Sequence, residues 1–215
     1  MAAFDSKTFL EQAGEGRTIL IYKKGATIFK QGDAADNIYY LLRGSAKETF
    51  TSETGEQAIL GMLEGGDFFG NGAIDGIARS TTVMPMEPCL VTEISREAMA
   101  KALNKEEFRA LFLTYINRRL SQSEAERAHF MLQTIEKRLA RKLLELSHVI
   151  EGGPSRRIDS SIRQEDLAKM VGTSRTEANR HLNRFREKGM IHYLQGRQII
   201  VAPTLLRLIH GEKDQ

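Results

Sequence analysis

The chain reads as an α+β protein in three successive parts: an N-terminal β-roll of the jelly-roll kind (1–104), a long helix (105–133) and a C-terminal winged helix-turn-helix (134–215). Three observations carry that reading. Short β-rich runs alternate with turn glycines as far as Ile94, the stretch Glu106–Leu132 holds neither Gly nor Pro, and two amphipathic segments flank Gly172 ahead of a pair of short strands. A length of 215 residues suits two domains, each with its own core.

The β-rich runs are TILIYKKG, IYYLLRG, QAILGML, TTVMPM and CLVTEI, with glycines at 25, 32, 44, 55, 61, 65, 66, 70, 72 and 76. Ser95 stands where it can N-cap a short helix REAMAKAL, and a turn at Asn104-Lys105 follows. Glu106–Leu132 is rich in helix formers and predicts one helix of roughly 40 Å at about 1.5 Å per residue. Leu113, Ile116, Leu120 and Phe130 recur on one seam at 3-4 spacing, with Ser123 and Arg127 between the last two. Such a stripe suits a parallel helix pair between two copies of the chain, so a homodimer is expected. The alternative is one helix packed on its own β-roll. The polar interruption of the seam sets register or meets a ligand at the subunit junction. Thr134 is placed to cap IEKRLARKLLELSHVI, the break before it is the expected hinge and domain boundary, and Gly152, Gly153 and Pro154 mark an irregular connection.

In IRQEDLAKMVGTSRTEANRHLNRFREKGMI, Leu167, Ala168 and Val171 precede Gly172, and Ala178, Leu182 and Phe185 follow it. That is helix-turn-helix spacing, with a small residue at the crossing and a permissive backbone at the turn. Ser174 with Glu177 predicts a capping box, so the second helix starts at Arg175 and ends near Gly189. Its first turns project Arg175, Thr176, Asn179, Arg180 and Asn183, the half that enters a major groove, where Arg pairs bidentately with guanine. Arg184, Arg186 and Lys188 lie further back, where phosphate contacts position the helix. His181 falls among the apolar positions and reads as a core or boundary histidine. MIHYLQGRQIIV gives two strands around Gln195-Gly196-Arg197, a wing.

Charge agrees. Residues 151–215 hold 12 Lys+Arg against 8 Asp+Glu, whereas 1–150 hold 19 against 20, so the positive balance sits beside the reading helix. Double-stranded DNA is the expected partner. No apolar run approaches a bilayer span, and MAAFDSKTFLEQ lacks a signal-peptide pattern, so a cytoplasmic protein without a membrane partner is expected. Cys89 is the single cysteine and the five histidines (129, 148, 181, 192, 210) all lie beyond the β-roll, which argues against a metal centre there. With no P-loop and no nucleophile elbow, catalysis is not expected. A nonspecific architectural DNA binder would need charge alone, and Arg175 and Arg180 at the helix start argue for base reading instead.

The tail QEDLAKMVGTSRTEANRHLNRFREKGMI, together with FKQGDAADNIYYLLRGSAK, GDFFGNG and ARSTTV, resembles the Crp/Fnr superfamily of transcription regulators over nearly the whole chain. The resemblance implies a cyclic-nucleotide-binding-like β-roll, and a dimer reading a pseudo-palindromic operator. It places the recognition-helix arginines on Arg175 and Arg180, and the acidic base reader between them on Thr176, so the operator is expected to differ at that step. Glu177 is left to capping. In the relatives that bind cyclic nucleotides a helix N-terminus, an arginine and a serine hold the phosphate, and these fall on Gly70, Arg79 and Ser80. Amides at a helix start beside a guanidinium form an anion site on physical grounds too. The glutamate that accepts the ribose hydroxyl is replaced by Asn71, a weaker acceptor, and the connection from Gly70 to Arg79 is shorter. The adenine-contacting pair falls on Ser123 and Glu124. Three readings of the sensor stay open: a cyclic nucleotide such as cyclic AMP, another small anionic effector or metabolite, or none, which leaves an effector-independent regulator with a vestigial pocket. Arg79 also reads as a structural ion pair. Residues 1–30 lack the cysteine cluster of the oxygen-sensing branch, and haem lacks ligands in the β-roll. Cys89 is expected to pack inside a strand. RNA polymerase is a further candidate partner, with no segment that marks a surface for it.

Overall fold

The computed structural model describes residues 4–194 and 198–210, which fall into two compact units, 1–123 and 124–215. The division lies inside the long helix, not at the break before Thr134.

The first unit opens with α1 (Ser6–Glu11), capped by the Asp5 carboxylate, which accepts from the Lys7 and Thr8 amides. Seven antiparallel strands follow: β1 (Arg17–Tyr22), β2 (Asn37–Arg43), β3 (Ser45–Thr51), β4 (Gln57–Glu64), β5 (Phe68–Phe69), β6 (Thr82–Pro85) and β7 (Cys89–Ser95). They form two sheets, β1-β7-β2-β5 and β4-β3-β6. The period of two explains how one sheet serves two cores. Tyr39 and Leu41 of β2, Phe69 of β5 and Val91 of β7 point inward against Ala46, Leu63 and Val83 of the other sheet. Their neighbours Ile38, Phe68 and Ile94 point outward beneath the helices. Between them on that outer face Thr92 is fully buried and donates to the Leu10 carbonyl at 2.6 Å, which pins α1.

The strand β3 was not foreseen. SAKETFT has only Ala46 and Phe50 as apolar residues, so it carries little apolar signal, yet it is the central strand of its sheet because β4 and β6 both pair with it. The expected short helix is α2 (Arg96–Leu103), with the Ser95 hydroxyl accepting from Ala98 N–H at 3.1 Å.

The long helix α3 (Glu106–Leu132) has the expected bounds. The packing of α3 on its own β-roll is what the structure shows, and it takes in Ile116 of the expected seam. Phe108, Phe112 and Tyr115 pack on the outer face of the β-roll, and the Tyr115 hydroxyl donates to the Phe68 carbonyl at 2.8 Å. The seam residues Leu113 and Leu120 are 58% and 53% exposed.

The second unit contains the last turns of α3, then α4 (Ile135–Ser147), β8 (Arg156–Arg157), α5 (Gln164–Met170), α6 (Arg175–Glu187), β9 (Ile191–Tyr193), β10 (Ile199–Val201), a 3₁₀ turn at Pro203–Leu206 and α7 (Arg207–His210). Thr134 caps α4 as expected, but the helix stops at Ser147 because His148 turns left-handed, at φ +51°. Leu139, Leu143, Leu167, Leu182, Phe185, Ile191 and Val201 form a single core. Phe130, 53% exposed like Leu120, also has a neighbour outside the seam. Its ring lies against Gly172, so close that a Cβ there would meet it at 2.7 Å, and Arg138 stacks on the ring at 4.2 Å while donating to the Phe130 carbonyl. With the Glu126–Lys142 pair at 3.4 Å, this packs the last turns of α3 on the rest of the second unit.

Candidate DNA interface and sensor cavity

The interface is built from α5, the turn at Gly172 and α6. Asp166 accepts from the Arg163 amide at 3.0 Å, which starts α5. Gly172 has φ +64°, the left-handed turn that only glycine adopts cheaply. The two helices cross where Ala168 and Ala178 are both buried, so their backbones approach closely. The Ser174 hydroxyl accepts from Glu177 N–H at 3.1 Å and places the first helical residue at Arg175. Ala178, Leu182 and Phe185 then face the core. Arg175, Thr176, Arg180, Asn183 and Arg184 are exposed, as are Arg186 and Lys188.

Four details differ from the sequence reading. The Glu177 carboxylate is not left to capping: it pairs with the Arg180 guanidinium and lies 3.3 Å from His181 Nε2. That hydrogen bond from Arg180 holds the Glu177 carboxyl below the usual carboxylate range, and Glu177 raises Arg180 in return. Arg184 also reaches Glu136 of α4 at 3.4 Å. Asn179 is half-buried, and its Oδ1 is enclosed without a hydrogen-bond partner. The wing has a third strand, since β8 pairs with β10 on the side away from β9. The predicted wing tip, Gln195-Gly196-Arg197, lies outside the described residues.

The second candidate site is a cavity of about 200 Å³ in the β-roll. Gly70, Asn71, Arg79 and Ser80 line it as expected, together with Glu48, Thr81 and Arg119, which sequence reading missed. Thr81 follows Ser80 directly, and Arg119 stands one turn after Tyr115 on α3, so both had a local signal. Glu48 had none, because it lies on the unforeseen β3. Its carboxylate accepts from the Thr81 hydroxyl at 2.7 Å. Ser123 and Glu124 are exposed and do not line this cavity.

Arg79 is 5% exposed, and its fork is occupied by backbone. Nη1 donates to the Gly70 carbonyl at 2.7 Å and Nη2 to the Asn37 carbonyl at 2.6 Å, with the guanidinium stacked on Phe29 at 4.4 Å. The structural reading of Arg79 is therefore right in kind but not in partner, because carbonyls and rings take the place of a carboxylate. Burial pulls the Arg79 pKa down, while burial and the Glu93 charge push neighbouring Tyr39 up to about 12. Arg79 Nε is enclosed without a partner. Gly70 has φ +74°, and a Cβ there would strike Arg79 Nη1 at 2.6 Å. Cys89 is buried in β7, its Sγ 3.2 Å from the Ser45 carbonyl, and burial raises its thiol pKa, which fits packing.

A β-roll sensor module joined through one long helix to a capped, basic helix-turn-helix with a β-wing defines a transcription regulator. Two family profiles match the chain: the cyclic nucleotide-binding domain over residues 19–106 and the Crp-like helix-turn-helix domain over 137–209. The CRP-like cAMP-activated global transcriptional regulator of Mycobacterium tuberculosis is 25% identical over 85% of this chain and 83% of its own. The cAMP-activated global transcriptional regulator CRP of Pasteurella multocida is 27% identical over 85% and 89%. The solved structure of FixK2 from Bradyrhizobium japonicum superposes with a TM-score of 0.76 at 18% identity, covering 93% of this chain and 98% of that one. The chain belongs to the Crp/Fnr family of transcription regulators. Among the described residues no helix is long and apolar enough to cross a membrane.

Proposed function

We propose that two copies of the chain pair along the exposed seam of α3 and set two α6 helices about 34 Å apart into successive major grooves of a pseudo-palindromic operator. Arg175 and Arg180 read bases, with Thr176, Asn179 and Asn183 beside them, and Arg184 adds a phosphate contact. The observation that carries this reading is α6 itself: a helix started by Ser174, buried on one face by Ala178, Leu182 and Phe185, and basic and exposed on the other. The operator is read without a cyclic nucleotide. A ligand in the cavity would meet an Arg79 that already gives one hydrogen of each Nη to backbone, a phosphodiester would share the cavity with the Glu48 carboxylate, and the ribose would be left to uncharged Asn71. The volume also lies below the roughly 300–1,000 Å³ of most ligand pockets. The cavity residues thus do not fit that group.

One observation favours a second reading, a small anionic effector: Arg79 Nε is an enclosed donor with no partner. Calorimetric titration with cyclic AMP and cyclic GMP, beside operator selection at fixed salt with and without each, tests the first reading. Sequence-selective binding with no nucleotide uptake is the expected result. Micromolar uptake that tightens DNA affinity overturns it.

A further inference from the structure

The reading face of α6 carries one feature its function does not require, a carboxylate. An acidic group turned toward a polyanion weakens binding to every sequence. An exposed i,i+3 ion pair contributes little to folding. Glu177 is nevertheless held on both sides, by the Arg180 guanidinium and by His181 Nε2 at 3.3 Å. The three side chains form a graded chain outward from the core: His181 is 10% exposed, Glu177 33% and Arg180 70%.

From this gradient we infer that Glu177 is an operator-specificity determinant that acts by positioning Arg180, with His181 as its anchor. The inference rests on α6 being the DNA-reading helix. A free arginine samples many rotamers and can reach several base edges or a phosphate. Glu177 takes one Nη2 hydrogen, and the donors left over still include a pair fit for guanine O6 and N7. The carboxylate therefore trades affinity for discrimination: it repels the backbone of every sequence alike, and it keeps Arg180 aimed at one base pair.

The test uses the full chain. Operator selection from randomised DNA defines the wild-type preference, and Arg180→Ala identifies the base pair that Arg180 reads. Glu177→Ala is then expected to lose the discrimination of about ten- to hundredfold at that same base pair, while binding unrelated DNA more tightly. Glu177→Gln, whose amide oxygen still accepts from Arg180, keeps most of it. Glu177→Met, similar in length and unable to accept, behaves like the alanine variant and guards against an effect of lost packing, with thermal unfolding run on each. In an Arg180→Ala background Glu177→Ala changes nothing further at that base pair. Unchanged discrimination in both Glu177→Ala and Glu177→Met overturns the inference, as does a changed preference at a different base pair, which would make Glu177 a direct reader of cytosine. A wild-type protein that selects no sequence overturns the reading of α6, whereas a selective wild type with indifferent Glu177 variants overturns this inference alone.

Discussion

Arg79 and Arg180 both stand where the family resemblance puts a ligand-binding arginine, and the structure holds them in opposite ways. Arg79 is buried, with one hydrogen of each Nη given to the Gly70 and Asn37 carbonyls and its plane stacked on Phe29. Arg180 is 70% exposed and tethered at one corner by Glu177. An arginine anchored by two backbone carbonyls contributes to the fold, and pulling it away for a ligand would cost those hydrogen bonds. An arginine tethered at one point on the surface keeps donors for a partner. A matching residue type marks a position, and its hydrogen bonds show which of its donors the fold already uses.

The sharpest way to break this comparison is Arg79→Ala. Two partly buried carbonyls lose a charged donor and Phe29 loses its stacked guanidinium, so about 3–5 kcal/mol of β-roll stability is expected to go, read by denaturant unfolding. A loss under about 1 kcal/mol would return Arg79 to the ligand-binding class. The next effect comes from alkali. A phenol that titrates near pH 10 when unfolded is pushed up to about 12 at Tyr39, and burial raises Tyr22, Tyr40 and Tyr115 as well. A raised folded pKa gives stability that is complete below pH 10 and lost as pH rises through 12, on the order of 2–3 kcal/mol from Tyr39. The first unit should therefore unfold in alkali before the second, whose raised tyrosine is Tyr193. Far-UV circular dichroism against phenolate absorbance checks the order. Smaller again, Ser174→Ala removes the cap of α6 and should cost about 1 kcal/mol of stability, with a matching loss of operator affinity. Smallest is Arg180→Ala, expected to change stability by less than about 0.5 kcal/mol while costing about 1–3 kcal/mol of operator binding at one base pair.

Much of the fold was legible because its signals are local. Ser95, Thr134 and Ser174 each cap the helix that sequence assigned to them, and α3 runs from Glu106 to Leu132 as its lack of Gly and Pro implied. The alternating runs of β2, β4 and β7 were readable for the same reason. The strand β3 was not, since its pairing with β4 and β6 substitutes for the apolar pattern it lacks. Of the candidate sites, the exposed face of α6 followed from helical geometry. The contact of Phe130 with Gly172 did not, because periodicity places a residue on a face without saying what covers that face.

By itself, then, the sequence determined the order of parts, the helix starts, the turn at Gly172 and the basic, exposed face of α6. These depend on residues three or four apart, whose geometry is set once the backbone is helical. Tertiary structure alone decided what Arg79 does, because Asn37 and Phe29 reach it only through the closing of the β-roll, and it alone placed Glu48 on the cavity wall. A side chain's donors are committed by whichever acceptors the fold brings within about 3 Å, and that distance is not written in the spacing of the chain.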